Sequence, residues 1–332
     1  NEGIAQEMRR DSSVFLLGED VRHLGGVWGH TTGLYEEFGA ERVLDTPISE
    51  TGFIGAASGA AALGMRPIVE LMFVDFLGVC FNAIYNLAAK TCYFSAGGTP
   101  VPMVINTAVG GGYSDGGQHS QVLWATFAHM PGLKVVVPSN SYDAKGLMIA
   151  AIRDNNPVIY MFHKQLQGMG FLGTVAGAVA EVPKEPYVVP LGVANVVEEG
   201  TDLTIVGLGA TVHIATAAAA ELRERAGVSV EVIDVRSVVP LDRAAIVRSV
   251  KKTGRLIVVD DDYLNCGLTA EIIASVTESD VRVFKSSPIR IAYPDVPPPF
   301  SPPLEQFCLP SVARVVDAAH RCLGESADRW PR

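Results

Sequence analysis

Three prolines in Pro183-Lys-Glu-Pro-Tyr-Val-Val-Pro190 break an otherwise regular alternation of short apolar runs and amphipathic stretches. Proline has no amide hydrogen and clashes with the preceding turn, so neither a helix interior nor a central strand passes through this segment. The chain therefore reads as two units, residues 1–182 and 198–332, joined by a linker at 183–197. In the first unit strands are predicted at 13–17, 66–70, 102–106, 133–137 and 158–162, with helices such as 81–91 and 141–153 between them. In the second, strands at 202–210, 228–235 and 255–259 alternate with helices at 213–225 and 242–253. Parallel neighbours need a crossover of helix length, so this alternation predicts a parallel sheet with helices on both faces. The expected fold class is α/β, two doubly wound domains of which the second is smaller. A chain of 332 residues, 48% of them hydrophobic, is long enough to bury two such cores.

Charge narrows the function. With a net charge of −10 and no stripe of Lys or Arg, the chain is not built to neutralise a phosphate backbone, and no nucleic-acid partner is expected. No uncharged apolar run reaches the roughly 18 residues that a membrane span requires. Cys80, Cys92, Cys266, Cys308 and Cys322 show no paired spacing, so neither a zinc ribbon nor a disulfide framework is expected, and a reducing compartment fits. The chain opens at Asn1 with no methionine and no hydrophobic targeting segment. The expected location is cytoplasmic, with organelle import left open.

The chemistry-bearing residues cluster in two places. Asp45-Thr-Pro-Ile-Ser-Glu50 leads into a Gly/Ala-rich run to Leu63, which predicts a helix with Glu50 at its start and a backbone that another group can approach closely. Helix N-terminal amides favour the ionised carboxyl, whereas burial against Phe53, Ile54 and an apolar ligand would raise its pKa and let it share a proton. Read locally, Glu50 is equally an ordinary first-turn acid of a core helix. The second place is Val104-Ile-Asn-Thr-Ala-Val-Gly-Gly-Gly-Tyr-Ser-Asp-Gly-Gly-Gln-His119, a strand running into a glycine-rich loop that ends at a histidine. Among seven histidines His119 is the best general acid/base candidate, with His30 behind it in the loop after Gly-Gly-Val-Trp-Gly. Gly207-Leu-Gly209 follows a strand, but Val212 stands where a dinucleotide fingerprint needs its third glycine, so NAD binding is not expected.

These segments, with Phe15-Leu-Leu-Gly-Glu-Asp20, Ala89-Lys-Thr91, Ser95-Ala-Gly-Gly98, Gln118-His-Ser-Gln121, Pro131-Gly-Leu-Lys-Val-Val136, Ala151-Ile-Arg-Asp-Asn-Asn-Pro157 and Pro294-Asp-Val-Pro-Pro-Pro-Phe300, resemble the beta chain of the thiamine-diphosphate-dependent component of 2-oxoacid dehydrogenase complexes. That family is a branch of the transketolase superfamily, and the likeness covers nearly the whole chain. It implies a thiamine-pyrimidine-binding first domain and a transketolase C-terminal-like second domain.

The resemblance also implies roles. Glu50 would hydrogen-bond the cofactor's pyrimidine and drive the tautomerisation that lets the thiazolium carbon lose its proton. Phe76 would stack on the pyrimidine, with Ile48 and Met72 lining the same ring, and Glu19 would lie near the cofactor. His119 would face the substrate and assist acyl transfer to lipoamide. Met103, Ala151, Asp154 and Asn156 would hold a structural potassium ion, although a plain helix end before Pro157 accounts for the same residues.

Magnesium and diphosphate call for a Gly-Asp-Gly segment with a downstream asparagine. Ser114-Asp-Gly-Gly117 lacks both the leading glycine and that asparagine. The missing half is expected from an alpha subunit that holds Mg2+, in an alpha2-beta2 heterotetramer with the site at the alpha/beta junction. Two departures from the family stand out: Asn106 replaces a common arginine, and Asp260-Asp-Asp-Tyr-Leu-Asn-Cys-Gly departs from a Glu-rich, Gly-Gly form. The second domain carries no catalytic constellation of its own. The expected function is that of a beta subunit of an enzyme that cleaves a 2-oxoacid, or an acyloin such as acetoin, and passes the acyl unit to lipoamide on an acyltransferase core. A split two-chain ketol transferase or acyloin-forming ligase is the alternative, ahead of a non-catalytic scaffolding subunit.

Overall fold

The computed structural model describes residues 1–168 and 174–324. The tail of the expected second domain, 325–332, lies outside them.

Continuous apolar runs form the middle of the first sheet. Val14–Gly18 (β1), Val104–Val109 (β4) and Val158–His163 (β6) are buried at every position, as strands covered on both faces must be. With Val43–Asp45 (β2), Arg66–Phe73 (β3) and Lys134–Val136 (β5) they make a parallel array in the order β2-β1-β3-β4-β6-β5. β1 has β2 on one side and β3 on the other, so the winding direction switches between β1 and β3 and a crevice opens outside their carboxyl ends. Glu19 follows β1, Phe76 follows β3 and the glycine-rich loop follows β4.

The second sheet runs in the order β12-β11-β8-β9-β7. Its strands are Asn195–Glu198 (β7), Leu203–Gly207 (β8), Val230–Asp234 (β9), Leu256–Tyr263 (β11) and Ile289–Tyr293 (β12). β7 is a half-exposed, antiparallel edge strand inside the stretch expected to be linker, and its Asn-Val-Val-Glu carries no apolar period to reveal it. Gly207 allows β8 to pack on the following helix: a Cβ there would meet Val212 Cα at 3.0 Å. That is a packing role, in keeping with the absence of a dinucleotide fingerprint.

Three features depart from local expectation. Ser237–Val239 (β10), part of the second unit in sequence, pairs antiparallel with β5 and closes the edge of the first sheet. β11 runs on past the expected 255–259 through Asp260, Asp261 and Asp262, all buried. Acids continue a buried strand only when partners meet them. Trp124 Nε1 donates to Asp260 at 3.4 Å, His163 Nε2 lies 2.6 Å from Asp261 Oδ2, and the Ala125 amide donates to Asp262. All three partners belong to the first domain. The apolar core is shared as well, with Val206, Leu208 and Ile233 in one cluster with Val135, Val137 and Ile159. The helix expected at 81–91 is instead three pieces, Leu77–Asn82, a π-helical turn Ala83–Ala88, and Thr91–Phe94.

Candidate active site

Helix Glu50–Ala62 buries Glu50, Phe53, Ile54, Ala57, Ser58 and Ala61, a spacing of three and four residues that defines one face. Glu50 is therefore on the core side of its helix, 8% exposed. Ser49 occupies the N-cap position without a side-chain capping bond. Among the described residues nothing hydrogen-bonds the Glu50 carboxylate, and the acid end of this largely buried residue stays open to solvent. Its charge reaches neighbours: burial first, then Glu50, raise the Glu19 carboxyl above its ordinary range, and the same two causes push the Cys80 thiol up to about 12.

Phe76 ends the short turn Val74–Phe76 and is half-buried. Its ring meets Phe73 edge-on at 5.6 Å and His119 at 5.7 Å, while Phe73 and His119 meet at 4.7 Å. Met72 is partly buried and its carbonyl accepts from Trp28 Nε1 at 3.3 Å. Ile48, two residues before Glu50, is 84% exposed. Val79 and Phe81, Leu63 at the far end of the Glu50 helix, and Tyr93 and Phe94 are further exposed apolar side chains.

The loop from Gly110 to Gln121 is closed on itself by Gly110 N donating to Gln121 O at 2.9 Å. Gln121 Nε2 donates to Asp75 Oδ1 at 2.9 Å, tying the loop to the Phe76 turn. His119 is half-buried, and neither ring nitrogen hydrogen-bonds a described residue. Lys164, its side chain fully buried, donates to Asp115 Oδ2 at 2.7 Å and to the His119 carbonyl at 2.5 Å. Asp115 is the aspartate of Ser114-Asp-Gly-Gly, so that imitation of a magnesium motif is already engaged by an ammonium group.

Sequence reasoning missed three contributors. Glu70, a lone acid inside the apolar run of β3, is buried, with Oε2 3.0 Å from His30 Nε2. The same imidazole nitrogen lies 2.8 Å from Asn106 Nδ2. His30 thus stands in a polar cluster with the buried Glu70 and Asn106. Lys164 was hidden because a lysine at a strand end usually reads as solvated. Glu305, from the second domain, accepts from the Gly112 and Ser114 amides, so that domain is not inert towards the site. The acid stranded in β3 was a readable signal; Glu305 left none. A cavity of about 290 Å3 beside His30 and Asn106, lined also by Lys145, Tyr160 and Phe162, includes none of Glu50, Phe76 or His119.

The expected cation residues lie together at the end of helix Ser141–Arg153, with hydrogen bonds already made. Arg66 donates to the Ile152 and Asp154 carbonyls, both at 2.9 Å, and Lys134 donates to the Asp154 carboxylate. The Met103 carbonyl accepts from Val158 N at 2.9 Å, and that of Ala151 from Asp154 N at 3.3 Å. Asn156 donates twice to Asp154 Oδ1. Burial would raise the Asp154 carboxyl, but Lys134 and Asn156 outweigh it and hold it low. Among the described residues no group of three or more His, Cys, Asp or Glu side chains is placed to hold a metal.

This half-site suits an aminopyrimidine: a carboxyl without a partner, an aromatic face and an open crevice at the switch point. It does not suit a magnesium diphosphate. Residues 1–169 match the transketolase pyrimidine-binding domain and residues 192–315 the transketolase C-terminal domain. Two such domains in one chain define the class. The acetoin:2,6-dichlorophenolindophenol oxidoreductase subunit beta of Cupriavidus necator is 46% identical over 97% of this chain and 95% of its own length. The 2-oxoisovalerate dehydrogenase subunit beta of Bacillus subtilis is 42% identical over 98% and 97%. A solved split-gene transketolase, an inactive beta4 tetramer, shares the fold at a TM-score of 0.78 and 22% identity, over 97% of this chain and 96% of that one. The chain belongs to the transketolase family, among the beta subunits of acetoin and 2-oxoacid dehydrogenases.

Proposed function

We propose that this chain is the beta subunit of a thiamine-diphosphate-dependent dehydrogenase acting on acetoin or a 2-oxoacid, and that it builds the pyrimidine half of a site completed by an alpha subunit. The observation that carries this reading is Glu50 near the Phe76 turn, a residue buried on the core side of its helix whose carboxylate has no partner among the described residues and stays open to solvent. Bound thiamine diphosphate supplies a nucleophilic thiazolium carbon. Glu50 holds a proton at the pyrimidine ring nitrogen, where a dry setting makes one carboxyl an effective donor. Phe76 offers the ring an apolar face, Ile48 and Met72 border it, and Glu19 lies at the carboxyl end of the neighbouring strand. His119, with both ring nitrogens free of the described residues, presents an acid/base group for acyl transfer to lipoamide.

The exposed apolar side chains Ile48, Leu63, Val79, Tyr93 and Phe94 support an alpha chain packing here, since clustered exposed apolar side chains mark interaction surfaces. That chain brings the magnesium site, in an alpha2-beta2 assembly, and a lipoyl acyltransferase receives the acyl unit. The potassium site at Met103, Ala151, Asp154 and Asn156 is part of this proposal as a structural ion. The test is Glu50→Gln in the co-purified alpha/beta enzyme, assayed with acetoin, pyruvate and branched 2-oxoacids by reduction of a dye acceptor. Dye reduction is expected to vanish for the preferred substrate; a near-normal rate with intact assembly removes the reading.

A further inference from the structure

The loop that carries His119 is held largely from outside itself, and one hold comes from the other domain. Glu305 lies in helix Pro302–Cys308 and is fully buried. Its Oε1 accepts from Gly112 N at 2.8 Å, and its Oε2 from Ser114 N at 2.9 Å and Ser114 Oγ at 3.1 Å. Among the described residues no cation pairs with it. A carboxylate out of water needs donors, and here all three come from one turn of the glycine-rich loop. That turn is not relaxed backbone: Gly112 has φ +102° and Ser114, a non-glycine, φ +58°. The same segment of the second domain adds shape. The Phe300 ring lies where a Cβ on Gly116 would be, at 2.4 Å, and Pro297 and Pro298 border Gly117. Lys164 secures the other end of the loop through Asp115 and the His119 carbonyl.

We propose that Glu305 is a positioning residue for His119: by holding Gly112 and Ser114, the second domain sets where the first domain's imidazole stands during acyl transfer. This rests on the role given to His119 above. A carboxylate that only cemented the two domains would affect every step of catalysis alike. A carboxylate that positions His119 weighs most on the step using that imidazole.

The test uses the co-purified alpha/beta enzyme. Glu305→Gln keeps the shape but turns an NH2 group towards a backbone N–H. Hydrogen exchange at the Gly112 and Ser114 amides is expected to quicken by about tenfold or more, while helix Glu50–Ala62 keeps its protection. Acyl transfer to lipoamide is expected to fall about tenfold further than dye reduction in the same preparation. Glu305→Asp, which keeps the charge, should recover part of both effects. Unchanged exchange at the two amides overturns the proposal, as does an equal loss in the two assays. If Glu305→Gln does not assemble, Ser114→Ala removes one of the three donors and must shift both readouts the same way by a smaller amount, or the proposal fails. His119→Ala separates the two layers: if that enzyme still acylates lipoamide, the histidine's role falls and the positioning role with it, whereas unchanged exchange in Glu305→Gln sinks the clamp alone.

Discussion

The Glu50 helix follows β2 and the His119 loop follows β4 of the same sheet, and the two are finished to different degrees. The loop is tied down at several points, by Lys164, Asp75 and Glu305, and Phe300 lies against its glycine turn, while Ser120 Oγ and the His119 ring nitrogens meet no described partner. Around the helix the buried acid has no hydrogen-bond partner, Gly55 and Gly59 face open space, and Leu63 is 89% exposed. A region complete within one chain owes its geometry to that chain. An open region beside a buried acid is a surface awaiting a ligand and a partner. The chain thus builds one wall of a site to final shape and leaves the other to be closed.

The sharpest attempt to break this contrast is Glu50→Gln. It is expected to lower dye reduction by the assembled enzyme about 10²–10⁴-fold with little change in the urea midpoint of the isolated chain; a large loss of stability would show that Glu50 belongs to the core instead. Lys164→Met is the mirror image. Removing a buried ammonium from Asp115 and the His119 carbonyl should cost about 3 kcal/mol of stability in the isolated chain, read by urea unfolding. A cost below about 1 kcal/mol would mean the loop is not held as the geometry indicates.

The contact between the two domains also stores buried acids, Asp234 against Ser139 and Asp262 against the Ala125 amide, which makes a pH test. Burial raises the Asp234 carboxyl to about 7, despite bonds from Ser139 Oγ at 2.5 Å and the Arg236 amide at 3.0 Å, and burial raises Asp262 to about 6. Each keeps its proton in the folded state at a pH where the unfolded chain has released it. The folded state then binds more protons, so stability contributed below pH 4 is lost as pH rises through 7. Asp234→Asn should flatten that decline by on the order of 2 kcal/mol between pH 4.5 and 7.5, with the difference in thermal midpoint between wild type and variant as the readout. An identical slope in both would remove Asp234 as its source. The smallest expected effect is on the open face: Leu63→Ser should change the isolated chain's stability by less than about 0.5 kcal/mol, yet weaken its association with an alpha chain in titration calorimetry. A clear loss of stability in the isolated chain would mean that Leu63 is packed rather than waiting.

Legibility in the sequence followed the range of the interactions. The Glu50 helix was readable from the Pro47 and Ser49 start and the Gly/Ala-rich run that follows, while the common burial of Glu50, Phe53, Ile54, Ala57, Ser58 and Ala61 on one face was set by packing. His119 was readable as the end of a glycine-rich loop, whereas Phe76 entered only through the family resemblance. Glu305 was not, since it meets Gly112 across 193 residues. β10 was hidden for a similar reason: three residues carry no period, and only the first sheet's free edge gives them a partner.

What the sequence determined by itself was the main alternation of apolar strands and helices, with Glu50 and His119 as candidates, because hydrophobic runs and glycine content act over a few residues. Only the tertiary structure decided which acids are buried and what holds the histidine's loop. The Asp260–Asp262 run looks like a solvated turn in isolation, and becomes core strand because Trp124, His163 and the Ala125 amide are brought against it. Burying a charge is governed by the partner that arrives, and that partner is chosen by the packing of two domains.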